Sequence, residues 1–418
     1  MPALKPSPAA SLPAASLPAA SLPAASDASA SLMDHFKDLD DPRMDRRKDH
    51  PLINVLFISI CAVLSGAEGW KSIETFGRAK RDWLAQYLTL PEGPHPVPSD
   101  DTYRRTIARL DPDAFEAAFR EWVAQVAQRI DGEIVAVDGK TVRGSVDRDA
   151  DTIRARRAPR KPLHLVSAWA SEQRLVLAQR AVNEKTNEIG VLPDLLAMLE
   201  LEGCLVTLDA MGTQTRVAET IVDGGGDYVL ALKSNHPRLY GDVKAFFEDA
   251  VDRRLPGMAL EEDHHVDGGH GRVEVRRCWA TDDIDWLARP GRWAGLQSLA
   301  MVEAQRSENR WDEEAGERVW TTTTERRLYI SSLPADARRI AEAVRSHWGI
   351  ENRMHWVLDV SFGEDESRIR KGDAPENMAV LRRIAMNLVR QDDRPGSLRQ
   401  KRKKAGWDDK YREEILGI

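Results

Sequence analysis

The stretch Ile134-Val-Ala-Val-Asp-Gly-Lys140 sets a run of four apolar residues before an acid, Asp138. Such a run predicts a short buried strand with a carboxylate at its end. The pattern recurs in Leu205-Val-Thr-Leu-Asp-Ala-Met211, where the acid is Asp209. Acids that end neighbouring buried strands meet at the edge of a sheet, and converging carboxylate oxygens are what a hard cation such as Mg²⁺ needs.

A third candidate acid, Glu351, lies in the Trp- and His-rich segment His347-Trp-Gly-Ile-Glu-Asn-Arg353, which predicts a helix. Histidines stand four residues to either side of it, at His347 and His355, so a zinc site on this stripe is an alternative. That alternative leaves the two strand-end acids without a role. Rival acids for the third position follow on the chain: Asp359, Glu364, Asp365 and Glu366.

The composition is that of a soluble globular protein, with 418 residues, 42% apolar and 30% charged residues, and a net charge of −7. Three isolated cysteines argue against a zinc ribbon or a disulfide framework and favour a cytoplasmic location. The most apolar segment, Leu52–Leu64, is shorter than the roughly 18 residues that span a bilayer, and no secretory signal is visible. We therefore expect no membrane association.

Positive charge is concentrated in two strips of this acidic chain. Eight basic residues lie from Asp138 to Lys161, and five of the six residues in Arg399-Gln-Lys-Arg-Lys-Lys404 are basic. Either strip alone is compatible with an ordinary solvated face or tail. Together, on a chain of negative net charge, they favour a polyanionic partner.

The chain divides into four predicted parts. Residues 1–31 repeat Ser-Leu-Pro-Ala-Ala, and proline at every fifth position predicts a disordered tail. Residues 32–130 show helical periodicity and predict a small all-α domain, whereas residues 391–418 predict a basic tail. Residues 131–390, between these parts, combine short apolar strands with helices.

The helical N-terminal part is a candidate DNA-binding domain. Ser99 is a good N-cap for a helix over Asp100–Leu110, which carries Arg104 and Arg105 and is followed by a tight turn at Asp111-Pro112. This arrangement is compatible with half of a helix-turn-helix motif that places both arginines at DNA. An ordinary helical bundle with a basic rim is the alternative.

Residues 131–390 predict an α/β fold. Five short apolar runs predict strands, at Ile134–Val137, Leu163–Trp169, Leu175–Ala178, Leu205–Leu208 and Tyr228–Leu232. With the helix predicted at Ile189–Leu201, they give a β-β-β-α-β-α-β order and hence a mixed sheet flanked by helices. Residues 236–325 interrupt this order as a β-rich insertion, and helices over Ala335–Trp356 and Asn377–Arg390 follow.

Five motifs of the chain together resemble one known family, the ISAs-type insertion-sequence transposases, also called H-repeat-associated proteins. The motifs are Val137-Asp-Gly-Lys-Thr-Val-Arg-Gly-Ser145, Leu208-Asp-Ala-Met-Gly-Thr-Gln214, Tyr228-Val-Leu-Ala-Leu-Lys-Ser-Asn-His-Pro237, His347-Trp-Gly-Ile-Glu-Asn-Arg-Met-His-Trp356 and Leu358-Asp-Val-Ser-Phe-Gly-Glu-Asp365. The resemblance covers roughly residues 32–418. It is specific because the motifs occur together, whereas a lone Val-Asp-Gly-Lys is a weak signal.

The resemblance implies a ribonuclease-H-like catalytic core whose metal-binding triad is Asp138, Asp209 and Glu351. The 142 positions from Asp209 to Glu351 would contain the insertion. It further implies two Mg²⁺ ions, which Mn²⁺ can replace, and double-stranded DNA as the partner, both as terminal inverted repeats of the element and as target. A homodimer in the DNA complex is also implied, in a bacterial cytoplasmic protein that is nucleoid-associated when bound to DNA.

In one respect the chain departs from related insertion-sequence enzymes. Their Tyr-x₂-Arg-x₃-Glu-x₆-Lys signature would place Tyr, Arg and Lys where this chain has Val344, His347 and Leu358. Phosphate contacts must then come from other side chains. The candidates are His347, Arg353 and His355 near the third acid, and Lys140, Arg143 and Lys233 after predicted strand ends.

Three hypotheses follow from these features. The first is an active DDE transposase that cleaves and joins DNA. The second is a non-catalytic DNA-binding relic or domesticated copy, and the third is a metal-dependent nuclease that does not join ends. The complete triad favours the first, whereas the departures around Glu351 leave room for the second.

Overall fold

The computed structural model describes residues 32–44, 48–128, 132–146, 162–182, 188–254, 257–269, 271–313 and 316–418. The predicted repeat tail, residues 1–31, lies outside the described residues, as does most of the basic strip that ends at Lys161. No helix within the described ranges is both long enough and apolar enough to cross a lipid bilayer.

Residues 32–36 are helical, and five further helices precede the first strand in the described part of the chain. They are α1 (Leu52–Leu64), α2 (Trp70–Ala79), α3 (Arg81–Leu84), α4 (Asp100–Ile107) and α5 (Pro112–Val126). α1 is buried along nearly its whole length, as its almost uninterrupted apolar sequence requires. Ser99 accepts the backbone N–H of Thr102 at the start of α4, which confirms its predicted capping role.

Five strands form one half of a single sheet. They are β1 (Ile134–Val142), β2 (Leu163–Ala170), β3 (Leu175–Ala181), β4 (Leu205–Leu208) and β5 (Asp227–Leu232). Their order is β3-β2-β1-β4-β5, with β2 antiparallel to both its neighbours and β4 parallel to β1 and β5. Parallel neighbours need crossover connections, which α6 (Glu188–Leu196) and α7 (Thr215–Asp223) supply.

The segment predicted as an insertion extends the same sheet to nine strands. α8 (Pro237–Phe247) leads into β6 (Glu261–Gly269), β7 (Arg272–Thr281), β8 (Ser298–Asp312) and β9 (Glu317–Ser331), which pair antiparallel in that order. The end of β9 pairs with β5, with Val229 opposite Ser331 and Leu232 opposite Leu328. β9 therefore covers the hydrogen-bonding edge that β5 would otherwise expose.

Five further helices complete the fold. They are α9 (Ala337–Ile350), α10 (Trp356–Phe362), α11 (Ala374–Arg390), α12 (Leu398–Trp407) and α13 (Asp409–Leu416). The single helix predicted over Ala335–Trp356 is interrupted, because Glu351–His355 form a turn of π-helix between α9 and α10.

The N-terminal helices are not separate from the rest of the chain. α11 lies between the sheet and these helices: Asn387 exchanges two 2.9 Å hydrogen bonds with the backbone of Val176, and Asn377 donates to the carbonyls of Ile107 and Leu110. One apolar cluster includes side chains from α1, α5, α10, α11 and α13. The small all-α domain predicted at 32–130 therefore shares its core with the C-terminal helices.

The predicted basic tail at 391–418 folds into α12 and α13. Its charge conceals two buried arginines: Arg402 donates to the carbonyl of Val63, and Arg412 lies 3.9 Å from the ring of Trp83. Lys80 pairs with Asp409 at 2.6 Å. A basic composition alone does not predict such contacts. Long cationic side chains can be buried when their apolar stems pack in the core and their charged groups lie over aromatic rings.

Alternation along β1 decides which side chains face the C-terminal helices. Val135 and Val137 pack in the cluster that includes α6 and α7, whereas Ile134 and Ala136 pack against α9 and α11. Asp138 and Lys140 continue the second set. Both side chains are therefore directed toward the face that carries Glu351 and the segment after it.

Lys140 is buried in a network of charges on this face. Its Nζ lies 2.7 Å from Asp359 Oδ1, 3.2 Å from Asp365 Oδ1 and 3.6 Å from Glu364 Oε2. Burial alone would lower the pKa of Lys140, but these carboxylates raise it above its usual value. The fully buried Glu364 also pairs with Arg383 at 3.0 Å, so the network ties β1 to α11.

We expect Lys140→Ala to lower the free energy of unfolding by about 3 kcal/mol, because it removes the buried cation that the three clustered carboxylates share. Arg143→Ala is the matched control: its side chain is 84% exposed, against 7% for Lys140, and stability should change by less than ~0.5 kcal/mol. Urea unfolding of both variants measures the difference. Equal stabilities would contradict a structural role for Lys140.

Candidate functional site

The two strand-derived acids are neighbours because β1 and β4 are parallel and adjacent. Val137 lies opposite Leu208 in the last pair of this ladder, so Asp138 and Asp209 are the next residues of the two chains. β4 ends at this point, whereas β1 continues beside β2 to Val142. The predicted end of the first strand is therefore wrong, but the expected proximity of the two acids is found.

The turn after β4 orients the carboxylate of Asp209. Its Oδ1 accepts the backbone N–H groups of Met211 and Gly212, each at 3.0 Å, as acids at the start of turns commonly do. A Cβ at Gly212 would lie 2.6 Å from the side chain of Leu208, so this tight turn requires glycine. The Asp-Ala-Met-Gly motif thus holds the acid at the end of the strand.

Glu351 approaches from the helix side. It begins the π-helical turn at the end of α9, and such widened turns are frequent at functional sites. Asp138, Asp209 and Glu351 all line one cavity of about 330 Å³. The structure therefore brings the three predicted acids together around a space large enough for ions and a phosphate group.

The two histidines that flank Glu351 have different surroundings. His355 Nδ1 lies 3.1 Å from Glu351 Oε2 and 3.6 Å from Asp138 Oδ2. His347 Nδ1 instead lies 3.1 Å from the hydroxyl of Thr207 on β4. In the part of the chain that the structure describes, the compact group of possible metal ligands contains Asp138, Glu351 and His355 but neither Asp209 nor His347. A zinc site on the histidine stripe is therefore not supported.

Burial and mutual repulsion dominate the electrostatics of the cavity. Burial, and then the charges of Asp209 and Glu351, raise the pKa of Asp138 to about 7. Burial lowers the pKa of His347 to about 4, and it also lowers the pKa of His355 despite the neighbouring Glu351. Crowded carboxylates beside neutral imidazoles favour the binding of a cation.

A groove of about 940 Å³ adjoins the cavity. It is lined by β6–β9 and α9, and it shares Glu351, Arg327 and Trp348 with the cavity. Its lining residues include seven arginines and five acids, and each of these arginines pairs with a carboxylate. These arginines are Arg272, Arg276, Arg277, Arg306, Arg327, Arg338 and Arg345.

The candidate phosphate contacts fall into two groups. Lys233 follows β5, is exposed and lines the cavity together with His347. Arg143 is exposed beyond β1, with its Nε 3.6 Å from Asp365. Arg353 is exposed on the π turn but is not among the residues that line the cavity. Of these candidates, Lys233 and His347 therefore line the cavity together with the three acids.

Lys140 differs from its expected position. It lies within β1 rather than after a strand end, and its amino group is taken up by the three carboxylates of the buried network. The same contacts account for three of the four rival third acids, Asp359, Glu364 and Asp365. None of these three residues is among those that line the cavity.

Arg104 and Arg105 lie on α4, where both pair with Asp101. Neither is among the residues that line the cavity or the groove. His355 is buried, and its contacts are with the acids rather than with the surface, which departs from its expected role at DNA. The residues predicted to contact DNA therefore do not all lie at the cavity or the groove.

Sequence reasoning missed Arg327 and Trp348. The Arg327 guanidinium lies 4.4 Å from the centre of the Trp348 ring, and both line the cavity and the groove. Alternating residues predict the strand β9, but no local feature of the sequence indicates that its last four residues pair with β5. Only that pairing brings Arg327 to the acids.

Comparison with known proteins relates the chain to transposases. Residues 129–388 match a family model described as transposase DDE domain, and residues 33–123 match one described as DDE_Tnp_1-associated. The piggyBac transposase, solved as a synaptic complex with hairpin DNA, aligns with 92% of this chain and 76% of its own, with a TM-score of 0.37 and 11% identity. At that level the alignment carries no argument about the fold.

Two bacterial relatives extend over nearly the whole chain. The "Putative transposase YncI" of Escherichia coli O157:H7 is 36% identical over 389 residues, which cover 92% of this chain and 94% of that protein. The "H repeat-associated putative transposase YhhI" of Escherichia coli strain K12 is 36% identical over 387 residues, covering 92% and 97%. The chain therefore belongs to the H-repeat-associated family of DDE transposases, which confirms the resemblance of its five motifs.

Proposed function

We propose that this transposase cleaves and joins DNA at the ends of its own insertion sequence in a metal-dependent reaction. The observation that carries the proposal is the meeting of Asp138, Asp209 and Glu351 at one cavity. Two of these acids come from adjacent parallel strands, and the third comes from a helix packed on the same face. The mixed sheet with flanking helices supports the ribonuclease-H-like core that the family resemblance implies.

The donor set fits two Mg²⁺ ions, and Mn²⁺ fits the same oxygens. Asp138, Asp209 and Glu351 would hold them, since the three carboxylates line one cavity, where burial, followed by the charges of Asp209 and Glu351, raises the pKa of Asp138. When bound, such a pair of ions activates the attacking oxygen and stabilises the leaving oxygen of an in-line displacement at phosphorus. Lys233, exposed at the same cavity, is placed to neutralise the charge of a bound phosphate.

Double-stranded DNA is the proposed partner, as terminal inverted repeats of the element and as target. The arginine-lined groove supports this proposal, because guanidinium groups bind backbone phosphates and the groove leads to Glu351. A joining reaction needs two ends in one complex, so we propose that a homodimer holds them, one active site to each end.

The direct test is strand cleavage of a labelled duplex that carries the element's own end. We expect cleavage and a joined product with Mg²⁺, none with EDTA, and a loss of at least about a hundredfold in Asp209→Asn, because the variant lacks a metal-binding carboxylate. Retained cleavage in Asp209→Asn would contradict the proposed triad. End binding without any product would favour the non-catalytic hypothesis, and cuts without joining would favour the nuclease.

Asp138→Asn should stabilise the metal-free protein. The pKa of Asp138 is about 7 in the folded protein against an ordinary 3.8, so the folded state binds this proton more tightly. The ionised carboxylate therefore costs stability as the pH rises from about 4 to about 7. After allowance for a side chain that is 29% exposed, we expect a gain of about 2 kcal/mol at about pH 8, which shrinks toward pH 4.

Urea unfolding in EDTA measures this gain. Asp194→Asn is the control, because Asp194 is an exposed acid on α6 and its loss should change stability by less than ~0.5 kcal/mol. Addition of Mg²⁺ should stabilise the wild type but not Asp138→Asn. A variant that is less stable than the wild type at every pH would contradict the destabilising effect of the buried, crowded carboxylate of Asp138.

The groove is tested by Arg338→Ala and Arg253→Ala. Both arginines are exposed, at 79% and 68%, and each pairs with an acid four residues away, so the two substitutions remove similar local interactions. Only Arg338 lines the groove. We expect Arg338→Ala to weaken end binding about three- to tenfold and to reduce the salt slope by about one, with Arg253→Ala unchanged. Equal weakening of end binding in the two variants would contradict the proposal that DNA binds in the groove.

A further inference from the structure

His355 occupies an unusual place for a residue four positions after an acid of the triad. It is only 4% exposed, and its Nδ1 lies 3.1 Å from Glu351 Oε2 and 3.6 Å from Asp138 Oδ2. Its Nε2 is buried and has no hydrogen-bond partner among the described residues. The polar contacts of this ring are therefore made through Nδ1, and they are directed at the two acids.

We propose that His355 is a ligand of the metal centre, supplying Nδ1 as a nitrogen donor beside Asp138 and Glu351. The inference rests on the proposed function, because it adds one ligand to the same site. One potential ligand atom from each of the three residues lies within 4.8 Å of the others. Ligands bound about 2.1 Å from an octahedral ion are about 3 Å apart along each edge, close to the 3.1 Å and 3.6 Å that separate His355 Nδ1 from Glu351 and Asp138.

The π turn explains how the sequence places this ligand. In the widened turn Glu351–His355, the first and last side chains lie on one side, toward Asp138 on β1. Met354 and His355 are buried while Glu351 remains exposed. His355 is therefore fixed by packing, and a fixed donor loses little conformational entropy when an ion binds.

A nitrogen ligand has a consequence for metal choice. Carboxylate and water oxygens suit Mg²⁺ and Mn²⁺ alike, whereas an imidazole nitrogen is a better ligand for a transition-metal ion than for Mg²⁺. The protein should therefore bind Mn²⁺ at least about tenfold more tightly than Mg²⁺. His347, whose Nδ1 contacts Thr207, contributes no such donor, so the centre differs from a zinc site on the histidine stripe.

Electron spin-echo spectroscopy of full-length protein with bound Mn²⁺ tests the proposal without reference to cleavage. We expect nitrogen coupling from an imidazole in the wild type, its shift to the ¹⁵N pattern when histidine is ¹⁵N-labelled, and its loss in His355→Ala. His347→Ala is the matched control and should keep the coupling, because His347 Nδ1 contacts Thr207 and His347 is not in the compact group with Asp138 and Glu351. Coupling that persists in His355→Ala, or vanishes in His347→Ala, overturns the proposal.

Calorimetry of Mn²⁺ binding separates this proposal from the function on which it rests. His355→Ala should weaken Mn²⁺ binding about 10- to 100-fold and lower the preference over Mg²⁺. If His355→Ala does not fold, the wild type and His347→Ala still decide through the labelled spectrum. Mn²⁺ bound by the wild type, but not by Asp138→Asn, without nitrogen coupling overturns the role of His355 alone. No Mn²⁺ binding by the wild type overturns the metal centre and the proposed function with it.

Discussion

The parallel pairing of β1 with β4 is the constraint on which the site depends. Val135 and Val137 on β1, and Val206 and Leu208 on β4, are buried together in the cluster that includes α6 and α7. A slip of one residue in either strand would turn these side chains away from the core and carry one acid to the opposite face of the sheet. The apolar core thus holds the register that sets two carboxylates side by side.

The charged residues near this site form two separate groups. Lys140, two residues beyond Asp138 on the same face of β1, is bound to Asp359, Glu364 and Asp365 rather than to the cavity acids. Glu364 in turn compensates Arg383. The buried cations are therefore neutralised by acids of their own, and the carboxylates that line the cavity retain their capacity for a metal.

The strand β9 links strands β1–β5, two of which position Asp138 and Asp209, to strands β6–β8 of the same sheet. Its last residues pair with β5 and bring Arg327 and Tyr329 to the cavity, while the preceding residues form one wall of the arginine-lined groove. Trp348 and Glu351 line both spaces. A single continuous strand therefore lines both the acidic cavity and the groove that adjoins it.

The sequence by itself determined the helix at Leu52–Leu64, the strand at Leu205–Leu208 and the placement of Asp138 and Asp209 after apolar runs, because apolar runs and the carboxylates that follow them are local signals. Tertiary structure decided what depends on distant partners. It buried Lys140 under carboxylates about 220 residues away in the chain, folded the basic C-terminal segment onto α1 and α2, and turned His355 toward Asp138. Charge and spacing state what a side chain can do, whereas packing selects its partner.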